Sequence, residues 1–266
     1  MLAPSGNVIG CFPNRSVSPG GEGGNGMGVS GPTPREEAMI QFYYNLAPNP
    51  MKVALCLEEM GLPYNLKPVD GRKGEQHAPD YLAINPNAKV PSIVDGDATV
   101  FDSNAILLYL AEKTGLFQAG PSLAARGEML SWMMFVASGI GPYSGQSVHF
   151  RNVAPEPKDY AVNRYTFEAQ RHWGILDARL ASRHYVLGDT YTVVDMAVWG
   201  WSRLLHVVLG AEGPAMFPNV QRHLAEISAR PAAVRALALQ DRHVFKADMD
   251  EAAKLAMFPH LGKKVA

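Results

Sequence analysis

Apolar residues recur along this chain at two different periods, and the change from one to the other divides it. Apolar and polar positions alternate over the aromatic-rich MIQFYYN (39–45), the pattern of a first strand. Val53, Ala54, Leu57 and Met60 then fall at helical spacing. Asn49 suits the N-cap of that helix, Pro50 fits the first helical position, and Gly61 followed by Pro63 ends it. YNLKPVD (64–70) predicts a second strand, and residues 71–89 have room for at most one short helix. VPSIVDGDATVF (90–101) reads as a tight hairpin turning at Asp95-Gly96, and the helix of DSNAILLYLAEKTG (102–115) is opened by Asp102 and Ser103. Beyond the turn-rich 114–122 the strand signal stops. Helical patterns follow at roughly 122–140, 158–182, 192–209, 219–229 and 231–240. Thr192 and Asp195 have the spacing of a capping box ahead of the apolar MAVWGW. The order β-α-β-α-β-β-α followed by helices alone predicts a small α/β domain joined to an all-α domain.

Composition narrows the function classes. Lys and Arg number 24 against 25 Asp and Glu, with no dense basic cluster, so neither a nucleic acid nor an anionic membrane is an expected partner. No apolar run reaches the ~18–20 residues of a membrane span. Cys11 and Cys56 are the two cysteines, without a CxxC pair, and the eight histidines never reach metal-ligand spacing. The expectation is therefore no metal, no disulfide scaffold and a reducing, cytoplasmic setting. Residues 1–38 are rich in Gly, Pro and Ser and poor in apolar residues, which predicts a disordered leader, or an upstream start ahead of Met39. Cys56 lies mid-helix between Leu55 and Leu57, and Trp132, Trp173, Trp199 and Trp201 sit in apolar surroundings. All five read as core.

A β-α-β unit of the first kind is thioredoxin-like, yet the loop that would carry a reactive thiol offers Ala47, Pro48, Asn49 and Pro50, none of them nucleophilic. INPNAKVPSIVD (84–95), DSNAILLYLAEKTGLF (102–117) and YTVVDMAVW (191–199) together resemble the glutathione transferases. More narrowly, APNPMKVALCLEEMGLPY (47–64), GEQHAPDYLAINPN (74–87) and GIGPYSGQSVHF (139–150) are similar to the Nu class, bacterial disulfide-bond reductases related to the fungal nitrogen-regulator prion protein. The resemblance implies the cytosolic glutathione transferase fold. It divides the chain into a leader (1–38), a thioredoxin-like glutathione-binding domain (39–117), an all-α domain on the co-substrate side (122–255) and a C-terminal tail (256–266).

It also implies that the nucleophile is the sulfur of glutathione itself, held as a thiolate. Lowering a free thiol's pKa of ~8.5 by ~1.5 units takes about 2 kcal/mol. A helix N-terminus supplies roughly 0.3–1 kcal/mol and a hydrogen bond to a charged acceptor roughly 1.5–3. Asn49, with the N–H groups of Met51 and Lys52 behind it, is the expected source, and Asn49 is the expected catalytic residue. Nu-class reductases usually carry Thr-Pro-Asn here. The fungal regulator has the Ala form, as this chain does with Ala47.

By the same resemblance Val90, before a cis Pro91, reads the cysteine backbone of glutathione, where the residues alone also allow an ordinary trans proline at a sheet edge. Asp102 takes the γ-glutamyl ammonium and Ser103 its carboxylate, roles compatible with plain N-capping. Gln76, Lys89 and Arg164 are carried over as further glutathione partners, and Tyr143, Gln146, His149 and Phe150 as the co-substrate pocket. The implied protein is a cytoplasmic homodimer that turns glutathione against a disulfide or a small electrophile. A glutathione-binding regulator with little turnover and a glutathione-dependent aryl-ether-cleaving lyase are the alternatives.

Overall fold

The computed structural model describes residues 39–156 and 158–262; the leader, with Cys11, and the end of the tail lie outside the described residues. Strand β1 (Ile40–Tyr44) runs into helix α1 (Pro48–Met60), followed by β2 (Tyr64–Pro68), α2 (Pro79–Ile84), β3 (Ser92–Asp95), β4 (Ala98–Phe101) and α3 (Ser103–Thr114). The sheet order is β2-β1-β3-β4, with β1 parallel to β2 and antiparallel to β3, and β3 antiparallel to β4. Ile40, Phe42 and Tyr44 point from alternate positions of β1 into the core. This is the thioredoxin-like domain that the change of period predicted.

Helix α1 is buried continuously from Pro50 to Leu57, including Lys52. Burial on every side marks a helix enclosed by packing, here between the sheet and helix α7 (Val193–Ser202). At the contact, Gly200 of α7 lies so near α1 that a Cβ there would stand 2.6 Å from the Pro48 carbonyl oxygen and 2.4 Å from Lys52 Cγ.

The start of α1 differs from the expectation. Its N-cap is Ala47, in extended conformation and without a side-chain cap, so Pro48 is the first helical residue and Asn49 the second. Two prolines lie within the first turn, where neither removes a needed N–H, and either one satisfies the sequence rule. The hairpin also turns one residue later than expected: Asp95 pairs with Ala98, and Gly96 at φ +62° and Asp97 form the two-residue loop.

The remainder is helical: α4 (Leu123–Phe135), a π-turn (Val136–Ile140), α5 (Gly141–Asn152), α6 (Asp159–Leu180), α7, α8 (Leu205–Leu209), α9 (Pro218–Ser228), α10 (Pro231–Leu237) and α11 (Glu251–Met257). The expected helix at 122–140 thus continues through the π-turn into α5, which Gly139, Gly141 and Pro142 had hidden. Gly139 is required by its neighbour, since a Cβ there would stand 2.4 Å from His172 Cδ2. The capping box is present: Thr192 Oγ1 accepts from Val194 N at 3.3 Å and Asp195 Oδ2 accepts from Thr192 N at 2.8 Å. The C-terminal segment crosses back over the α/β domain. There Lys246 N donates to Asp70 Oδ2 at 2.7 Å and Arg72 Nη1 donates to the Lys246 carbonyl at 2.8 Å.

Candidate functional site

A cleft of about 530 Å³ opens where the two domains meet. Three segments of the α/β domain form one wall: the start of α1, the loop before β3, and the start of α3. Each presents unsatisfied polar groups for a reason that can be traced.

At the start of α1 the two prolines leave few donors. Pro48 and Pro50 have no N–H, and the Met51 N–H is taken by the Ala47 carbonyl at 3.2 Å. The Asn49 backbone N–H and side chain are therefore the donors of this turn, which corrects the expectation that Met51 contributes one. No acidic residue lies in the first turn to offset the positive end of the helix dipole. The Asn49 carboxamide accepts a hydrogen bond through Oδ1 from Trp201 Nε1 at 3.0 Å.

In the loop before β3, Asn85 Nδ2 and Tyr81 Oη both donate to the Lys89 carbonyl at 2.6 Å, and Asn85 Oδ1 accepts from Asn87 N at 3.0 Å. These bonds set the loop's shape, and neither the N–H nor the C=O of Val90 is used in them. The Val90-Pro91 bond is cis, as the NPNAKVP context implied. Val90 accordingly offers a free edge of backbone to the cleft, lined also by Lys89 and Pro91.

At the start of α3, Asp102 is the N-cap, its Oδ1 accepting from Asn104 N at 2.8 Å and Ala105 N at 3.3 Å. Its φ of +70° is unusual for a non-glycine residue, a strain of order 1–3 kcal/mol that concentrates at functional sites. The second carboxylate oxygen is left to the cleft. Ser103 and Asn104 are buried beside it, and Lys52 reaches them from α1, with Nζ 3.4 Å from both Ser103 Oγ and Asn104 Oδ1. Burial pulls the Lys52 amine down to about 7, with the Asp102 carboxylate opposing.

The facing wall is helical: Val136 and Ala137 of the π-turn, Gly141, Pro142, Gly145 and Gln146 of α5, and Trp201 of α7. Trp201 is thus a cleft residue as well as a core one, while Trp173 and Trp199 are fully enclosed and Trp132 packs against Phe135 and Arg179. Cys56 is fully buried and its thiol is pushed up by burial, so it is inert structural sulfur.

Several expected residues lie elsewhere. Gln76 is buried and its Nε2 donates to the Ala256 carbonyl at 3.0 Å, so the C-terminal helix holds the group expected to reach a peptide. Arg164 is paired with Glu168 one turn along α6 and does not line the cleft. Of the four expected co-substrate residues only Gln146 lines it. Tyr143 packs on His172 with ring centres 4.8 Å apart, Phe150 stacks on Tyr165 at 5.2 Å, and His149 lies 4.7 Å from Phe258, its ring pulled down by burial and by His260. A helix face carries one set of side chains inward and the other outward, and position in a motif does not tell which. Conversely Asn85, Asn104 and Trp201 are cleft residues that sequence reasoning missed. For Trp201 the one available signal was Gly200, a glycine inside an apolar helix, which marks a close approach.

A second hollow of about 640 Å³ borders Ala47 and Pro48 beneath residues 240–247, but its charged groups are already committed, Asp70 and Arg72 to backbone of the C-terminal segment and Lys246 to Asp250. Among the described residues no group of His, Cys, Asp and Glu is arranged to hold a metal ion, and no helix is long and apolar enough to cross a membrane.

Comparison with known proteins bears on the same regions. The family model "Glutathione S-transferase, N-terminal domain" matches residues 47–113, and "Glutathione S-transferase, C-terminal domain" matches 138–231. The chain is 39% identical over 206 residues to the disulfide-bond oxidoreductase YfcG of Escherichia coli K12, covering 75% of this chain and 94% of that one. It is 31% identical over 241 residues to the protein URE2 of Eremothecium gossypii, covering 76% of this chain and 68% of that one. A glutathione transferase family member from Pseudomonas fluorescens Pf-5, solved with two glutathione molecules bound, superposes with a TM-score of 0.72 at 38% identity, over 76% of this chain and 93% of that one.

Proposed function

From the premise that this chain belongs to the glutathione S-transferase family, we propose that it is a glutathione-dependent disulfide-bond reductase whose cleft binds glutathione and holds its sulfur as the thiolate. The observation that carries this reading is the set of three unsatisfied surfaces on one wall. Glutathione has a thiol, a peptide-bonded cysteine and a γ-glutamyl end bearing an ammonium and a carboxylate. The Asn49 donors at the start of α1 suit the thiolate, the free backbone edge of Val90 suits the cysteine, and Asp102 with Ser103 suits the γ-glutamyl end. Lys52, beneath Ser103, adds a cation for that carboxylate, and Lys89 is placed for the glycine carboxylate.

The thiolate attacks one sulfur of a disulfide RSSR, forming RSSG and expelling RS⁻. A second glutathione thiolate then attacks RSSG, releasing oxidised glutathione and the other RS⁻. The facing wall of Gln146, Pro142 and the π-turn lies across the cleft from Asn49 and Val90, where the second molecule enters. The reading takes the protein as a cytoplasmic homodimer, as its family resemblance implies.

Steady-state rates with glutathione plus a model disulfide, set beside glutathione plus a chloronitroaromatic, test it. Turnover of the disulfide well above that of the aromatic is the expected outcome. A faster aromatic reaction replaces reduction with transfer, and no calorimetric binding of glutathione overturns the site. One observation favours a second reading, a glutathione-binding regulator with little turnover: Ala47 places a bare methyl where Nu-class reductases carry a hydroxyl. Under that reading both rates are near background and Ala47→Thr raises the disulfide rate.

A further inference from the structure

We infer that Trp201 is a positioning residue for the sulfur site: its indole N–H holds the oxygen of the Asn49 carboxamide, so that the amide nitrogen is the end presented to the thiolate. This rests on the reading of the cleft as a glutathione site and adds a residue of the helical domain to its chemistry.

An indole N–H donates and never accepts, so the atom of Asn49 that meets it at 3.0 Å has to be the carbonyl oxygen. The orientation of a carboxamide is ordinarily ambiguous; here the donor-only partner decides it. The amide nitrogen takes no partner among the described residues, which leaves two N–H groups for the cleft. Reversed, the carboxamide would aim a partial negative charge at the sulfur and raise the thiol pKa it is meant to lower.

The indole is itself firmly held. It is 9% exposed and packs under the glycines of α5: a Cβ at Gly141 would stand 3.4 Å from the indole Nε1, and one at Gly145 would stand 3.7 Å from Cη2. Its neighbour Gly200 seats α7 against the Pro48 carbonyl, one residue before Asn49. The tryptophan and the asparagine therefore come from different domains, and the sulfur site is complete only with α7 seated on α1. A buried indole N–H needs an acceptor wherever it lies, and a purely structural bond would satisfy that need equally well. What separates the two roles is the thiol.

Trp201→Phe keeps a ring in place and removes the N–H. With glutathione bound, the ultraviolet absorbance of the thiolate followed against pH should give a thiol pKa about one unit above wild type, and kcat for disulfide reduction should fall about tenfold. The glutathione Kd should stay within about twofold, because Val90, Asp102 and Ser103 are untouched. In an Asn49→Ala background the same substitution should add no further rise. A thiol pKa unmoved in Trp201→Phe, or moved equally with and without Asn49, overturns the inference. Wild-type protein that fails to bind glutathione overturns the reading of the cleft and the inference with it, a result that the other two cannot imitate. Should Trp201→Phe not fold, the indole N–H resonance of Trp201 in the wild-type glutathione complex decides the matter. Followed against pH it should titrate with the bound thiol and lose that titration in Asn49→Ala, and a resonance indifferent to the thiol's ionisation overturns the inference.

Discussion

Lys52→Met separates a stability role from a binding role at one buried atom. In the folded protein burial brings the amine down to about 7 from 10.5, although Asp102 pulls the other way. A base whose folded pKa lies below its unfolded pKa binds its proton more readily in the unfolded chain, so between those two values stability rises with pH. Below about 7 the amine is charged in both states and the full desolvation penalty opposes folding. With these two pKa values the gain between pH 7 and pH 9 is about 2 kcal/mol, and the steepest slope is about 1.4 kcal/mol per pH unit. Met has nearly the same length and no charge, so Lys52→Met should lose that gain while remaining at least as stable as wild type at pH 7. Urea unfolding of both proteins at pH 7, 8 and 9, without glutathione, measures it as a difference of slopes; other titrating groups cancel in the comparison. Parallel pH profiles for the two proteins would refute the neutralisable buried amine. The same substitution should weaken glutathione binding, since the γ-glutamyl carboxylate loses the cation under Ser103. Saturating glutathione should in turn flatten the wild-type profile by keeping the amine charged.

Other substitutions probe the remaining parts of the cleft. Asn49→Ala should slow disulfide reduction by roughly 10–100-fold and raise the bound thiol pKa by about one unit, the backbone N–H of the same residue remaining as partial support. Its glutathione affinity, read by calorimetry, should change little. Asp102→Ala should weaken glutathione binding by about 2 kcal/mol through loss of the ammonium's partner. The lost cap should lower unfolding stability by about 1 kcal/mol, and unchanged affinity with that stability loss would reduce Asp102 to a cap. Gly200→Ala drives a methyl group onto the Pro48 carbonyl and should lower stability by roughly 1–3 kcal/mol in urea unfolding. Turnover should fall with it as α1 shifts, whereas an unaffected variant would mean that the contact of α1 and α7 is slack.

The architecture was legible because local signals agreed with the global arrangement. Alternation in β1, the Gly61 stop, Asp102 at the head of α3 and the Thr192–Asp195 box each state one thing, and the structure uses each as stated. The start of α1 lies two residues before the expected one because Pro48 and Pro50, two residues apart, satisfy the same rule. Helix α5 was hidden because glycine and proline ordinarily break helices, and Gly139 in the π-turn before it answers a long-range demand, the close approach of the His172 ring. Site residues whose role depends on backbone exposure, such as Val90, follow from a local motif. Where the side chains of Gln76 and Tyr143 go depends on distant segments, which bring Ala256 and His172 to them, and Arg164 is drawn to Glu168 on its own helix, a choice that the motif alone does not show. Trp201 reads in sequence as one more apolar residue of MAVWGW, and only the folded chain reveals where its single polar atom goes.

The doubled proline at the start of α1 also sets which anions this helix end can select. A phosphate or sulfate presents several oxygens at once and is bound by a fan of successive backbone N–H groups. Here the fan is reduced to one rib, the Asn49 N–H, beside one side-chain amide. Such a cradle is too sparse for a polyoxyanion and matches an anion whose charge rests on a single atom. Inorganic phosphate and sulfate should thus be weak competitors at this end of the cleft, and a single-atom anion such as a halide, or a thiolate without a peptide, should compete better.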